Sequence, residues 1–77
     1  MAPALFDQVV AASRLNRLVA PFTVSRLLTR AGVLPNDLTG EGLLAALPHL
    51  EHGLALYLDA DELREALRDI RRLAEQQ

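Results

Sequence analysis

Residues 59–74 read DADELREALRDIRRLA, and this stretch carries the strongest local pattern in the chain. Its apolar residues recur every three or four positions, which is the spacing of one face of an α-helix. They are Leu63, Ala66, Leu67, Ile70, Leu73 and Ala74. Asp59 stands three residues before Glu62, an arrangement that predicts a capping box at the helix start. The stretch therefore predicts a helix over residues 60–75.

The same spacing continues towards the N-terminus and is interrupted at Pro21, Gly32 and Pro48. A residue before proline avoids the helical conformation, and glycine takes the left-handed conformation that closes many helices. The pattern predicts further helices over about 3–18, 22–31, 40–47 and 48–58. One kinked helix over 40–58 is the alternative to a break at Pro48, because the apolar positions keep their phase through it.

The ends of these helices carry turn and capping residues. Pro3 suits a first helical turn, where its missing N–H is no loss. The sequence Pro35-Asn36-Asp37 is typical of a turn, and Leu34 and Leu38 on either side are expected to anchor this connector to the core. Thr39 is a predicted N-cap for the helix that follows.

The fold class that follows is all-α, a compact bundle of four or five short helices forming a single domain over residues 1–77. A chain of only 77 residues buries a smaller fraction of its surface on folding than a larger domain does. It also contains no cysteine, so that no disulfide can stabilise the fold. We therefore expect tight helix packing or association with another subunit to supply the additional stability.

Charge is unevenly distributed between the two parts of the chain. Residues 1–33 hold four arginines and one acid, a net charge of +3, whereas residues 34–77 hold four arginines and nine acids, a net charge of −5. The favoured interpretation is that the two parts face each other across one core; the other is a basic face for an acidic partner. The total of −2 argues against general nucleic-acid binding.

Membrane insertion and export are not predicted. No apolar run approaches the roughly 20 residues that span a bilayer. The N-terminus also lacks the basic and apolar regions of a signal peptide. We therefore expect a cytoplasmic protein.

Catalysis and metal binding have little support in the sequence. His49 and His52 are three residues apart, a spacing that places both on one helix face, but a metal would need a third ligand such as Asp59 or Asp61. No nucleophile motif and no phosphate-binding glycine pattern is present. We expect neither an enzyme nor a cofactor, metal or small-molecule substrate.

Residues 23–28, TVSRLL, resemble the start of the recognition helix in helix-turn-helix repressors. Extended to Gly32, the same stretch is similar to the first helix of archaeal histones, and residues 60–63, ADEL, resemble the start of their last helix. These resemblances cover about a quarter of the chain. They imply DNA binding, with Arg26 and Arg30 as the phosphate contacts.

Several apolar residues fall beside the main helical stripes rather than within them. They are Leu15, Leu18, Val19, Leu34 and Leu56, together with Leu73 at the edge of the stripe of residues 63–74. A helix that is apolar on more than one face is either surrounded or in contact with a neighbour. The leading prediction is therefore a small protein–protein interaction or assembly domain, forming a homodimer or docking onto a larger protein, and a DNA-binding regulator using helix 22–31 is the alternative. The predicted contact residues are Arg14, Leu15, Arg17, Arg26, Arg30 and Leu56.

Overall fold

A computed structural model describes residues 4–77. Within them lie four α-helices, which we number in chain order: α1 (Leu5–Ala12), α2 (Ala20–Arg30), α3 (Gly40–Leu54) and α4 (Ala60–Glu75). A short 3-10 turn, Pro35–Asp37, joins α2 to α3. The all-α class and the expected number of helices are confirmed.

The four helices form a closed ring around one core. Each helix contacts its neighbours in the chain, and α4 returns to contact α1. The buried apolar core is built from all four helices: Val9, Val24, Leu27, Leu28, Leu43, Ala46, Leu50, Leu54, Ile70 and Ala74. Within residues 4–77, none of the helices has the length and apolar character required to cross a membrane.

The first helix is shorter than predicted, since α1 ends at Ala12 instead of Leu18. The buried Ser13 hydroxyl donates to the Val10 carbonyl at 2.7 Å, and Arg14 then takes a left-handed conformation with φ of 61°. Such local side-chain bonds and a left-handed residue end a helix. Pro3, the predicted first-turn residue, lies outside the described residues.

The prediction that Pro48 separates two helices is wrong. Residues 40–54 form one helix with Pro48 inside it, which agrees with the alternative of one helix through the proline but ends at Leu54 rather than 58. Pro48 and Leu44 are both exposed. The Leu44 carbonyl has no donor within the helix, because Pro48 lacks a backbone N–H. Because that carbonyl lies on the solvent side, water can satisfy it, and the buried stripe through Leu50 stays intact.

The predicted caps of α3 and α4 are confirmed. The Thr39 hydroxyl accepts from the Gly42 amide at 3.0 Å. Asp59 accepts from the Glu62 amide at 2.8 Å, and the Glu62 carboxylate accepts in return from the Asp59 amide at 3.2 Å. This capping box satisfies two backbone amides at the start of α4 that have no partner within the helix.

The segments on either side of α2 are only partly as predicted. The helix begins at Ala20, two residues earlier than expected, because Pro21 fits its first turn. After the helix, Gly32 has the expected left-handed conformation, with φ of 81°. Leu38 packs against the core as predicted, but Leu34 is exposed and does not anchor the connector.

Candidate interaction surface

A cleft of about 540 Å³ separates α2 from the C-terminal part of α3. Its walls and floor are formed by Thr23, Arg26, Leu27, Arg30, Pro48, His49, His52, Gly53, Leu56 and Tyr57. The helices pack closely at the floor, where Leu27 of α2 lies against Gly53 of α3. A glycine at this position brings the two backbones close together and leaves the longer side chains on either side to form the walls.

The walls of the cleft carry cationic and imidazole side chains. Arg26 and Arg30 stand one turn apart on α2, and His49 and His52 stand one turn apart on α3. The residues that line the cleft include no carboxylate. Within residues 4–77, neither arginine forms an ion pair. The cleft therefore concentrates positive charge that the rest of the described chain leaves unneutralised.

Large apolar side chains are exposed in the turn after α3 and at the start of α2. Leu56 is 80% exposed and Tyr57 is 55% exposed, both in the turn after α3. Phe22, 77% exposed, lies one helical turn before Arg26 and therefore on the same exposed face of α2. Val19, 46% exposed, lies three residues before Phe22. We call the cleft and these four apolar residues the cleft surface.

The predicted contact residues are divided between two places. Arg26, Arg30 and Leu56 line the cleft, whereas Arg14, Leu15 and Arg17 line a separate concavity before α2. Their role in partner binding stays a prediction in both places.

Arg14 and Leu15 also have contacts within the chain. The Arg14 guanidinium pairs with Asp69 at 3.0 Å and with Glu65 at 3.4 Å, both on α4. Leu15 is half-buried and packs against the core. The Arg14 pairs join the basic and acidic parts of the chain, as the favoured interpretation of the charge distribution expects, but Arg26 and Arg30 take no share in them.

The sequence identified only part of the cleft surface. Four of the six apolar residues outside the main stripes are exposed: Leu18, Val19, Leu34 and Leu56. The other two, Leu15 and Leu73, pack against the core. Tyr57 was missed because its helical spacing also fits a buried position. Phe22 was missed although Ser25 and Arg26, three and four residues later, place it on the exposed face of α2.

His49 and His52 share one face of a helix, as their spacing predicts, and this face forms a wall of the cleft. Across residues 4–77, no three or more His, Asp and Glu side chains come together in a group that could hold a metal ion. The two histidines therefore line the cleft together with Arg26 and Arg30, and Asp59 and Asp61 do not line it.

Comparison with protein-family models, with curated proteins and with solved structures found no match to this chain.

Proposed function

We propose that this chain is a small, non-enzymatic protein-interaction domain that assembles through the cleft surface. The observation that carries the proposal is Leu56, which is 80% exposed at the end of a cleft between two helices. A large apolar side chain beside a concave, charged surface is the composition of an interface centre with a polar rim.

The exposed apolar residues of the surface supply the energy of association. Burial of apolar surface contributes about 25 cal/mol per Å², so that covering three side chains the size of Leu56, Tyr57 and Phe22 favours association by several kcal/mol. Aromatic residues are common at the energetic centre of interfaces. The arginines and histidines along the cleft supply orientation and selectivity.

Sedimentation equilibrium of the purified protein from micromolar to millimolar concentration tests the proposal. We expect a dimer that Leu56→Asp dissociates, because a buried carboxylate without a partner opposes association. Leu34→Asp is the matched control, since Leu34 is also exposed but lies outside the cleft. A wild-type protein that stays monomeric throughout, or a control that dissociates the dimer equally, contradicts the proposal.

DNA binding through α2 is the second candidate, and one observation favours it. Arg26 and Arg30 are exposed, one turn apart, and without an ion pair in the described part of the chain. Against it, the connection from α1 to α2 runs over residues 13–19, longer than the 3–4-residue turn of a helix-turn-helix. Fluorescence anisotropy with labelled duplex DNA tests it: affinity that falls steeply with salt and is lost in Arg26→Gln supports DNA binding.

A further inference from the structure

We infer that the occupant of the cleft is the acidic start of α4 from a second copy of this chain. In the resulting two-fold dimer, the arginines of each copy face the carboxylates of the other. This inference rests on the proposed function and adds to it the identity of the partner segment and the symmetry of the assembly.

The cleft itself favours an acidic segment. Arg26 and Arg30 on one wall face His49 and His52 on the other, and no carboxylate of the described chain enters between them. The two arginines, which have no ion-pair partner in the described chain, attract an anion, and the imidazole N–H groups of the opposite wall can donate hydrogen bonds to it. An acidic partner segment is therefore selected over a neutral or basic one.

The chain carries an acidic segment of this kind next to the cleft. Asp59, Asp61 and Glu62 are exposed at the start of α4, and Asp59 is two residues after Tyr57 at the end of the cleft. The Asp61 side chain is 85% exposed, and its ion pair, at 3.5 Å, is with Arg64 in the next turn of α4. Its carboxylate therefore projects into solvent, where a second molecule can reach it.

The closeness of the two surfaces determines the symmetry. A two-fold interface brings the same patch of both copies together, so that a basic region in one copy meets the acidic region of the other twice. Leu56 and Tyr57 lie between the basic and the acidic regions in the chain, and in this arrangement they pack near the two-fold axis. Both charge contacts form at once, and the assembly closes as a dimer instead of growing into a filament.

Charge reversal followed by mixing tests this arrangement. Arg26→Glu places a carboxylate opposite the acidic start of α4 of the other copy, and Asp61→Arg places a guanidinium opposite the arginines of its cleft. We expect each variant alone to dimerise at least about tenfold more weakly than wild type, since each dimer then contains two like-charge contacts. An equimolar mixture should form a heterodimer with near wild-type affinity, which native mass spectrometry distinguishes from either homodimer.

The control variants carry the same changes in net charge as the test variants, and all of them are expected to keep the fold. Asp61 is outside the capping pair Asp59–Glu62, so that its reversal leaves the cap in place. Arg71→Glu and Glu75→Arg apply the same charge changes to exposed positions near the other end of α4 and should leave dimerisation unchanged. Circular dichroism melts verify that all four variants are folded.

The outcomes separate this inference from the proposed function. If wild type dimerises and Leu56→Asp dissociates it, but the reversed variants do not prefer each other in the mixture, the acidic start of α4 is not the occupant and the interaction domain stands. If wild type is monomeric, both fail. A mass that keeps rising with concentration contradicts the closed two-fold arrangement.

Discussion

The side chain of Leu27 lies against the Cα of Gly53, in the space that any side chain at position 53 would occupy. Both residues belong to the buried layer between α2 and α3, and both line the floor of the cleft. This one contact sets how closely the two helices approach, and thereby how the arginines of α2 are placed relative to the histidines of α3.

Gly53→Ala should lower the free energy of unfolding by about 1 kcal/mol. A Cβ there would meet the end of the Leu27 side chain, and overpacking costs roughly 1–3 kcal/mol, whereas alanine in a helix is favoured over glycine by about 1 kcal/mol. In a Leu27→Ala background the same substitution should be stabilising. Urea denaturation of the four proteins measures the coupling, and an equal effect in both backgrounds would contradict the contact.

Gly40→Ala should destabilise the fold more than Gly53→Ala, by about 2 kcal/mol or more. A Cβ at position 40 would lie 2.5 Å from the Ala74 carbonyl oxygen, and a backbone atom cannot move aside as a leucine side chain can. Gly42→Ala is the control, because its Cβ would lie 3.3 Å from the Thr39 hydroxyl oxygen. Thermal melts that rank Gly42→Ala below Gly40→Ala would show that α3 and α4 are not in such close contact.

Pro48→Ala should raise the free energy of unfolding by about 1–3 kcal/mol. The substitution restores an amide that donates to the Leu44 carbonyl in the middle of α3, and an interior proline costs a helix about 3 kcal/mol relative to alanine. Urea denaturation gives the change. A loss of stability would instead mean that the proline stabilises the protein by restricting its unfolded chain.

Arg14→Gly should be more stable than Arg14→Ala by about 1 kcal/mol. Both variants lose the ion pairs with Asp69 and Glu65, but only alanine keeps a Cβ at a φ of 61°. The comparison isolates the backbone conformation, because the lost ion pairs are common to both. Two variants with equal denaturation midpoints would show that residue 14 is not left-handed in solution.

The local sequence predicted those features that depend on a few neighbouring residues. The capping box of Asp59 and Glu62, the Thr39 cap and the left-handed Gly32 each follow from the chemistry of a single turn. The end of α1 was not predictable in this way. Arginine rarely adopts the left-handed conformation that Arg14 takes there, and the partner of its guanidinium, Asp69, is 55 residues away in the chain.

Part of the candidate site could be predicted from the sequence, because the position of a residue on one helix depends only on its neighbours in the chain. Leu56 was identified because it lies outside the apolar stripes. Arg26 and Arg30 were identified because they lie on the side of helix 22–31 opposite its apolar stripe. His49 and His52 were recognisable as a pair on one face of a helix. That the pair faces those arginines across a cleft depends on the packing of α2 against α3, which no spacing along one helix encodes.

The sequence by itself determined that this chain is helical and where α4 begins, since helical spacing and caps act over one or two turns. The tertiary structure decided the rest. Pro48 stays within one helix because its exposed side of α3 faces water and its buried side keeps the core together. Arg26 and Arg30 meet two histidines because Gly53 lets α2 lie close to α3. Both outcomes depend on which surfaces are covered, and only the packed chain defines that.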